Sequence, residues 1–261
     1  MKNTVSFLII VLLSFISCKN ESKETTELTV ATEIKTAVKP EIESDLKITP
    51  ISHATMVLEY KNTVIYIDPV GGAHAFKDQK KPTIVLLTDI HGDHLSTETL
   101  ESLDLSNAVV VLPKAVSEKL PELNALERIV LDNGKTTTVN KHTIEAIPMY
   151  NLREEALKFH AKGRGNGYVI TLGGERIYIS GDTEDIPEMR ALKNIDKAFV
   201  CMNLPYTMPV ENAASAVLEF KPKQVYPYHF RGTEGFSDVR LFKTIVNNSN
   251  KEIEVIQLNW Y

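Results

Sequence analysis

An apolar, strand-like run leads directly into four potential metal ligands. Residues 83–88 are apolar between two threonines, and residues 88–94 read TDIHGDH. A continuous apolar run is typical of a strand that is buried on both faces, and α/β folds place their polar chemistry in the loops that follow such strands. Alternate side chains of an extended loop point the same way, and the adjacent histidine can reach a second ion. The sequence therefore predicts a mixed α/β protein with a metal site, whose first candidate ligands are Asp89, His91, Asp93 and His94.

Three further ligands stand at predicted strand ends. His160 opens the Gly-rich stretch HAKGRGNG, Asp182 lies in SGDT after a strand, and His229 follows the strand 224–228. A single histidine in a sequence is usually an ordinary core or surface residue, but a set in this arrangement is not. A set of His and Asp ligands without cysteine is typical of a site for Zn²⁺, Mn²⁺ or Fe and not of a site that binds a soft metal through sulfur. We therefore expect two divalent metal ions, zinc or manganese, with iron as a further possibility.

The rest of the chain reads as one mixed α/β domain over residues 47–261. The 261 residues carry a formal net charge of −5 and 43% hydrophobic residues, which suits a packed core and gives no sign of a nucleic-acid partner. Two halves of alternating strands and helices predict two sheets packed face to face with helices outside. The predicted strands are 48–52, 55–60, 63–68, 83–88, 108–112, 128–131, 142–147, 167–172, 176–180, 197–202, 224–228 and 253–258. The predicted helices are 96–103, 114–120, 186–193, 210–220 and 238–246.

The short loop and the later Asp and His residues resemble the HxHxDH loop and the ligand order of the metallo-β-lactamase superfamily. That resemblance implies the four-layer αββα sandwich of this family. It also implies that Asp89, His91 and His160 hold one metal, that Asp93, His94 and His229 hold the other, and that Asp182 bridges them. Asp89 departs from the family, which usually has histidine there. If Asp89 is a ligand, its carboxylate adds negative charge and favours a harder ion, and Asp89→His is expected to shift selectivity towards Zn²⁺. The competing interpretation is that Asp89 points away from the metal and accepts a hydrogen bond from a ligand histidine.

Weaker motifs are similar to the branch with ascorbate-phosphate lactonases and N-acyl-phosphatidylethanolamine phospholipase D. They are the stretch 52–55, SHAT, the strand end 67–69, IDP, and the glycines after His160. The resemblance places His53 at the pocket, and Asp68 reads as a carboxylate that orients other ligands. Tyr206 follows a buried strand and Arg231 comes two residues after His229, so both are candidates for substrate binding. An arginine there suits a phosphate or a carboxylate.

The resemblance implies a dinuclear hydrolase in which a metal-bound hydroxide attacks an ester, a lactone or a phosphodiester. The catalytic candidates are Asp93, Asp182 and His53. The expected partner is a small-molecule or lipid substrate. The alternative is a membrane-tethered metal-binding protein of the same fold with weak or no hydrolase activity, and Asp89 is the feature that supports it.

The N-terminal 46 residues predict export and attachment rather than folding. Lys2 precedes the apolar run 5–16, which ends at Ser17-Cys18 and resembles the lipobox of bacterial lipoproteins. Residues 1–18 are therefore expected to be a lipoprotein signal peptide, with Cys18 as the lipidated residue. Residues 19–46 have no aromatic side chain and many Thr, Ser and Glu, which predicts a disordered tether. The expected location is the bacterial cell envelope, with the domain facing the periplasm or the exterior.

The Cys18→Ser variant should move from the membrane fraction to the soluble exported fraction, or remain as an uncleaved precursor, because it lacks the thiol that is acylated. Cell fractionation and mass spectrometry of the N-terminus measure this, and Cys201→Ser, which removes the only other cysteine, is the control. Wild-type protein that is found free in the cytosol with its initiator methionine would contradict the prediction.

Overall fold

A computed structural model describes residues 45–261 of the chain. The predicted signal peptide, Cys18 and nearly all of the predicted tether lie outside these residues. The strands are β1 Lys47–Ser52, β2 Thr55–Tyr60, β3 Thr63–Ile67, β4 Ile84–Leu86, β5 Val109–Leu112, β6 Glu127–Val130, β7 Thr136–Val139, β8 His142–Met149, β9 Gly165–Leu172, β10 Glu175–Ile179, β11 Lys197–Cys201, β12 Gln224–Tyr228, β13 Arg231–Gly232, β14 Gly235–Phe236 and β15 Glu254–Val255. The helices are α1 Thr97–Ser102, α2 Lys114–Ser117, α3 Pro187–Arg190, α4 Val210–Phe220 and α5 Val239–Ser249, with 3₁₀ turns at Ala73–Phe76 and Glu154–Ala156.

The strands form two large mixed sheets and a small ribbon. The first sheet has the order β1-β2-β3-β4-β5-β6, antiparallel up to β3 and parallel from β3 to β6. The second has the order β15-β12-β11-β10-β9-β8-β7, with parallel pairing from β10 to β15. Within residues 45–261, the strands β13 and β14 pair with each other and with no other strand. Parallel neighbours need crossover connections, and α4 and α5 supply two of them in the second sheet.

Side chains of the first sheet alternate between two apolar clusters. Met56, Leu58 and Ile84 belong to a cluster that also contains buried residues of the second sheet. The intervening Val57 and Val85 belong to another cluster, which includes buried residues of α1 and α2. Because successive strand residues face opposite sides, the first cluster is the core between the sheets and the second lies under the outer helices. The predicted α/β class with two face-to-face sheets and flanking helices is confirmed.

Several predicted elements match their observed bounds closely, and others do not. The helix predicted at 210–220 is α4, and the helix predicted at 96–103 is α1, where the Ser96 side chain accepts a hydrogen bond from the Thr99 amide as an N-cap. The helices predicted at 114–120 and 186–193 are single turns. The strand predicted at 253–258 is reduced to two residues, and β7 was not predicted. Within residues 45–261 there is no helix with the length and apolar character needed to cross a membrane.

Two hydrogen bonds tie the start of β9 to the end of β4, across the interface between the sheets. The Tyr168 hydroxyl donates to the Leu87 carbonyl at 2.7 Å, and the Asn166 amide donates to the Thr88 carbonyl at 2.9 Å. Tyr168 is fully buried. A buried carbonyl left without a donor costs free energy, so these contacts fix the position of the loop that begins at Thr88.

The Tyr168→Phe variant should lower the free energy of unfolding by about 1–3 kcal/mol, because the carbonyl of Leu87 loses its buried donor. Tyr178→Phe is the matched control, since the hydroxyl of this equally buried tyrosine has no hydrogen-bond partner within residues 45–261. Removing that hydroxyl should leave stability unchanged or raise it. Denaturant unfolding of the metal-free proteins measures both effects, and equal losses in the two variants would contradict the assignment.

Candidate metal centre

The seven predicted ligands come from four segments that meet where strands of both sheets end. Residues 88–94 follow β4, His160 precedes β9, Asp182 follows β10 and His229 follows β12. The turn at residues 91–95 is closed by hydrogen bonds from the His94 and Leu95 amides to the His91 carbonyl, at 3.0 and 2.8 Å. The structure therefore brings together all seven residues: Asp89, His91, Asp93, His94, His160, Asp182 and His229.

One group of possible ligands consists of Asp89, His91 and His160. Oδ2 of Asp89 lies 2.8 Å from Nδ1 of His91 and 3.8 Å from Nε2 of His160. The carboxylate and His160 are buried, whereas the His91 side chain is partly exposed. This is one of the two ligand groups that the resemblance implies.

The second group surrounds Asp93, His94 and His229. Nε2 of His229 lies 3.3 Å from Oδ2 of Asp93, and Nε2 of His94 lies 3.9 Å from Oδ1 of the same carboxylate. His53 reaches the same place, because it could join Asp93 and His229 around one ion. Its ring stands edge-on to His229, with the ring centroids 5.4 Å apart.

The Asp182 carboxylate lies between the two groups. Oδ2 is 3.3 Å from Nε2 of His160 in the first group and 3.4 Å from Nε2 of His94 in the second. Oδ1 is 3.3 Å from Nε2 of His229. A single carboxylate thus faces histidines of both groups, which is the position that a bridging ligand needs.

Buried atoms without hydrogen bonds show that these residues fit a metal centre. Within residues 45–261, Nε2 of His94, Nε2 of His160 and Oδ1 of Asp182 are buried and make no hydrogen bond. Buried polar atoms are otherwise almost always paired. Imidazole nitrogens and carboxylate oxygens are ligands of zinc, manganese and iron, so bound divalent ions would satisfy these atoms.

Neighbouring groups hold two of the histidines in the form that a metal requires. Nδ1 of His94 donates to Oδ2 of Asp68 at 2.8 Å, and Nδ1 of His160 donates to the Tyr206 carbonyl at 3.1 Å. Each bond places the proton on Nδ1 and leaves Nε2 free for a metal. Asp68 also accepts hydrogen bonds from the amide and hydroxyl of Thr88, at 2.7 and 2.5 Å. Asp68 therefore orients the ring of His94, which is the contact expected of it if His94 is a ligand.

The charges at the centre compensate one another strongly. Burial alone would raise the pKa of Asp182, but the facing His229 and His94 outweigh it and hold that pKa well below its usual value. Burial would lower the pKa of His94, yet Asp182 and Asp68 raise it well above its usual value. The carboxylates and the histidines therefore stabilise each other's charged forms at this centre.

Three residues of the site adopt a backbone conformation that L-amino acids rarely use. His53, Asp68 and His229 have φ angles of 50°, 43° and 45°. Such positions cost free energy and persist only where the surrounding structure enforces them. Each of the three follows a strand end or lies in a tight turn, so the sheets impose the side-chain directions that the site needs.

A cavity of about 260 Å³ opens over the two ligand groups. Four of the candidate ligands, His91, Asp93, His160 and Asp182, line it together with Phe159 and Tyr206. The rings of Phe159 and Tyr206 have their centroids 5.0 Å apart. The Tyr206 hydroxyl accepts a hydrogen bond from Thr233 at 2.9 Å. Arg231 does not line this cavity, but its Nη2 lies 2.5 Å from Nε2 of His53, whose ring contacts His229. The candidate substrate residues Tyr206 and Arg231 are therefore both close to the ligand groups.

Two contributors to the site had not been assigned from the sequence. Asn203 lines the cavity, and its side-chain nitrogen lies 3.4 Å from Nε2 of His229. Arg164 binds Asp89 with two nitrogens, Nε to Oδ1 at 3.1 Å and Nη2 to Oδ2 at 2.8 Å. The only sequence signal for Arg164 was the unusual Asp89, because an additional buried carboxylate calls for a cation nearby.

The sequence matches the model of the "Beta-lactamase superfamily domain" over residues 47–229. The chain belongs to this superfamily. The match spans the whole set of ligands, from residues 88–94 to His229. The family expected from the HxHxDH-like loop is thereby confirmed.

Relatives of this superfamily protein cover most of its length. A UPF0173 metal-dependent hydrolase from Archaeoglobus fulgidus is 27% identical over 225 residues, which are 82% of this chain and 96% of that protein. A crystal structure of a candidate metal-dependent hydrolase from Parabacteroides distasonis is 37% identical, with a TM-score of 0.70, and covers 81% of this chain and 92% of that one. Igni18, a metallo hydrolase from Ignicoccus hospitalis, is 21% identical with a TM-score of 0.68 over 82% and 95% of the two chains, and shares the fold.

Proposed function

We propose that this protein is a metal-dependent hydrolase with two divalent ions, and that it cleaves an ester, a lactone or a phosphodiester. The observation that carries the proposal is the Asp182 carboxylate, which faces histidines of both ligand groups. Asp89, His91 and His160 would hold one ion, Asp93, His94 and His229 the other, and Asp182 both. Ions bound there would supply Lewis acidity and an activated water as the nucleophile.

The side chains of the centre position and accept protons. Asp93 lines the cavity and is partly exposed, and its Oδ2 lies 3.3 Å from Nε2 of His229. A carboxylate in that position can take a proton from the attacking water and pass it to the leaving group. Burial and the nearby charges of His229 and Arg231 lower the pKa of His53. His53 is therefore neutral near pH 7, and its Nε2 accepts the hydrogen bond that Arg231 donates.

The substrate residues favour a ligand with a negatively charged group. Arg231 is bound to the neutral His53 and stands over the Tyr261 ring, with its guanidinium carbon 5.3 Å from the ring centroid. Its charge is thus available to a phosphate or a carboxylate. The Tyr206 hydroxyl accepts from Thr233, so its own proton is free to reach a substrate oxygen.

We retain three finer proposals from the sequence. The ions are zinc or manganese, or iron, because the donor set has no sulfur. The chain is nearest to the branch of ascorbate-phosphate lactonases and N-acyl-phosphatidylethanolamine phospholipase D. It acts on a small-molecule or lipid substrate while it is anchored to the membrane through Cys18. The second candidate function, a tethered metal-binding protein without hydrolase activity, is supported by Asp89 alone.

Metal content and turnover test the function together. The purified protein, loaded with Zn²⁺ or Mn²⁺, is assayed for bound metal and for turnover of lactones, p-nitrophenyl esters and bis-p-nitrophenyl phosphate. About two ions per chain with turnover of one class would support the dinuclear hydrolase. Two ions without turnover of any class would favour the binding protein instead, and a single ion at saturation would contradict the dinuclear centre.

The Asp182→Ala variant should lose metal from both sites and lose hydrolysis at the same time, because the carboxylate offsets the repulsion between the two cations. Metal analysis after dialysis and the assay of the active substrate class measure this. Asp185→Ala is the matched control, since Asp185 lies three residues away and binds Arg190 and Asn212 rather than the histidines. Wild-type metal content in Asp182→Ala would show that another residue is the bridge.

The Arg231→Gln variant should lower kcat/KM for an anionic substrate by about 10- to 100-fold, because a charged hydrogen bond is worth about 1.5–3 kcal/mol. Turnover of a neutral p-nitrophenyl ester should change little. Arg240→Gln, an exposed arginine on α5, is the control. Equal losses for anionic and neutral substrates would mean that Arg231 supports the site without binding the substrate.

A further inference from the structure

Asp89, the one ligand position at which this chain departs from the superfamily, is paired with an arginine. The Asp89 side chain is fully buried and that of Arg164 is 19% exposed. The guanidinium binds both carboxylate oxygens, with Nε at 3.1 Å from Oδ1 and Nη2 at 2.8 Å from Oδ2. Such a two-pronged contact fixes both the position and the plane of a carboxylate.

We propose that Arg164 is a positioning residue of the metal centre, and that the Asp89–Arg164 pair takes the place of a neutral histidine ligand. The proposal rests on the dinuclear function proposed above. It assigns two tasks to Arg164: it aims one oxygen of Asp89 at the first ion, and it cancels the charge that this carboxylate adds.

The geometry supports the first task. Oδ2 of Asp89 is the oxygen that faces the other ligands of its group, at 2.8 Å from Nδ1 of His91 and 3.8 Å from Nε2 of His160. Oδ1 is turned to Nε of Arg164. A carboxylate oxygen can accept more than one bond, so Oδ2 can keep its contact with Arg164 and still serve as a single-oxygen ligand.

The charges support the second task. The seven ligands include three carboxylates, whereas a histidine at position 89 would leave two. Arg164 is always protonated, and its positive charge offsets that of the third carboxylate. The net charge of the ligands together with Arg164 therefore equals that of a ligand set with two carboxylates. An unpaired buried carboxylate would instead favour a harder ion, so Arg164 reduces the preference that Asp89 would bring by itself.

The backbone keeps this pair together independently of any metal. The backbone amide of Asn166, two residues after Arg164, donates to the carbonyl of Thr88 at 2.9 Å. Thr88 directly precedes Asp89. A Cβ atom at Gly165 would lie 2.8 Å from the same carbonyl and 2.3 Å from the Met149 side chain. Glycine at position 165 therefore lets the start of β9 lie directly against residues 88–94, and this brings Arg164 close to Asp89.

A double-mutant cycle on metal affinity tests the proposal without relying on activity. The proteins are wild type, Arg164→Gln, Asp89→His and the variant with both changes. Their affinities for Zn²⁺ and Mn²⁺ are measured by competition with a chromophoric chelator, and the number of ions per chain by elemental analysis. Thermal unfolding of the metal-free forms reports on folding. Arg176→Gln, which removes an ion pair with Glu145 on a strand of the second sheet, is the control.

Arg164→Gln should weaken one ion by about 10- to 100-fold, the usual effect of losing a group that orients a ligand, and leave the other ion bound. In the Asp89→His background the same Arg164→Gln change should cost no affinity, and the double variant should bind both ions. Arg164→Lys keeps the charge but not the fork, so it should fall between wild type and Arg164→Gln. If Arg164→Gln fails to fold, the metal affinity of Arg164→Lys tests the proposal in its place.

Wild-type affinity in Arg164→Gln would overturn the proposal, and so would an equal loss in both backgrounds. These results differ from a failure of the dinuclear function, which would appear as a single ion in the wild-type protein. Two ions in wild type combined with an unaltered Arg164→Gln variant would leave the hydrolase proposal standing and remove only the role of Arg164.

Discussion

The structure depends on keeping three carboxylates and four histidines close together where most of them are shielded from water. Buried charges are costly unless opposite charges and hydrogen bonds compensate them. The histidines and carboxylates compensate one another: the pKa of His229 and His94 is raised while the pKa of Asp182 is lowered. Cations in the same place would make histidine protonation unnecessary, and they would also occupy the buried nitrogens that otherwise lack partners. The buried carboxylates of the centre thus require nearby positive charge, which bound metal ions can supply.

Such a cluster needs a rigid support, and the two sheets provide it. The loop after β4 is held from the second sheet by hydrogen bonds from Tyr168 and Asn166. His229 and Asp68 have left-handed backbone angles directly at strand ends. Such angles persist only where the surrounding structure enforces them. The ligands on the two sheets therefore meet at fixed distances, which is a condition for a centre that does not rearrange when a substrate enters.

The sequence predicted the features that local pattern controls. The loop TDIHGDH follows a buried apolar run, and α4 was predicted at its observed bounds because its apolar residues recur with helical spacing. The strand β7 was missed because its sequence TTTV has almost no apolar alternation, and the ribbon β13–β14 because two-residue strands have no period. Arg164 was not assigned because it binds a residue 75 positions away, and no local pattern reports such a pairing. The ligand roles of the seven residues stay predictions, although the structure places them together.

Arg164 and Arg231 both lie near the centre and carry the same guanidinium group, but their surroundings differ. This difference explains why only Arg231 is a candidate for substrate binding. Arg164 is mostly buried, and its Nε and Nη2 both donate to the carboxylate of Asp89. Arg231 is exposed, its partner His53 is held neutral by burial and nearby positive charge, and no ion pair within residues 45–261 includes it. The charge of Arg164 is therefore cancelled inside the protein, whereas the charge of Arg231 is left uncancelled beside His53. In the dinuclear hydrolase proposed above, this uncancelled charge would attract an anionic substrate in addition to the attraction of the ions. It would favour those esters, lactones and phosphodiesters that carry a negative group.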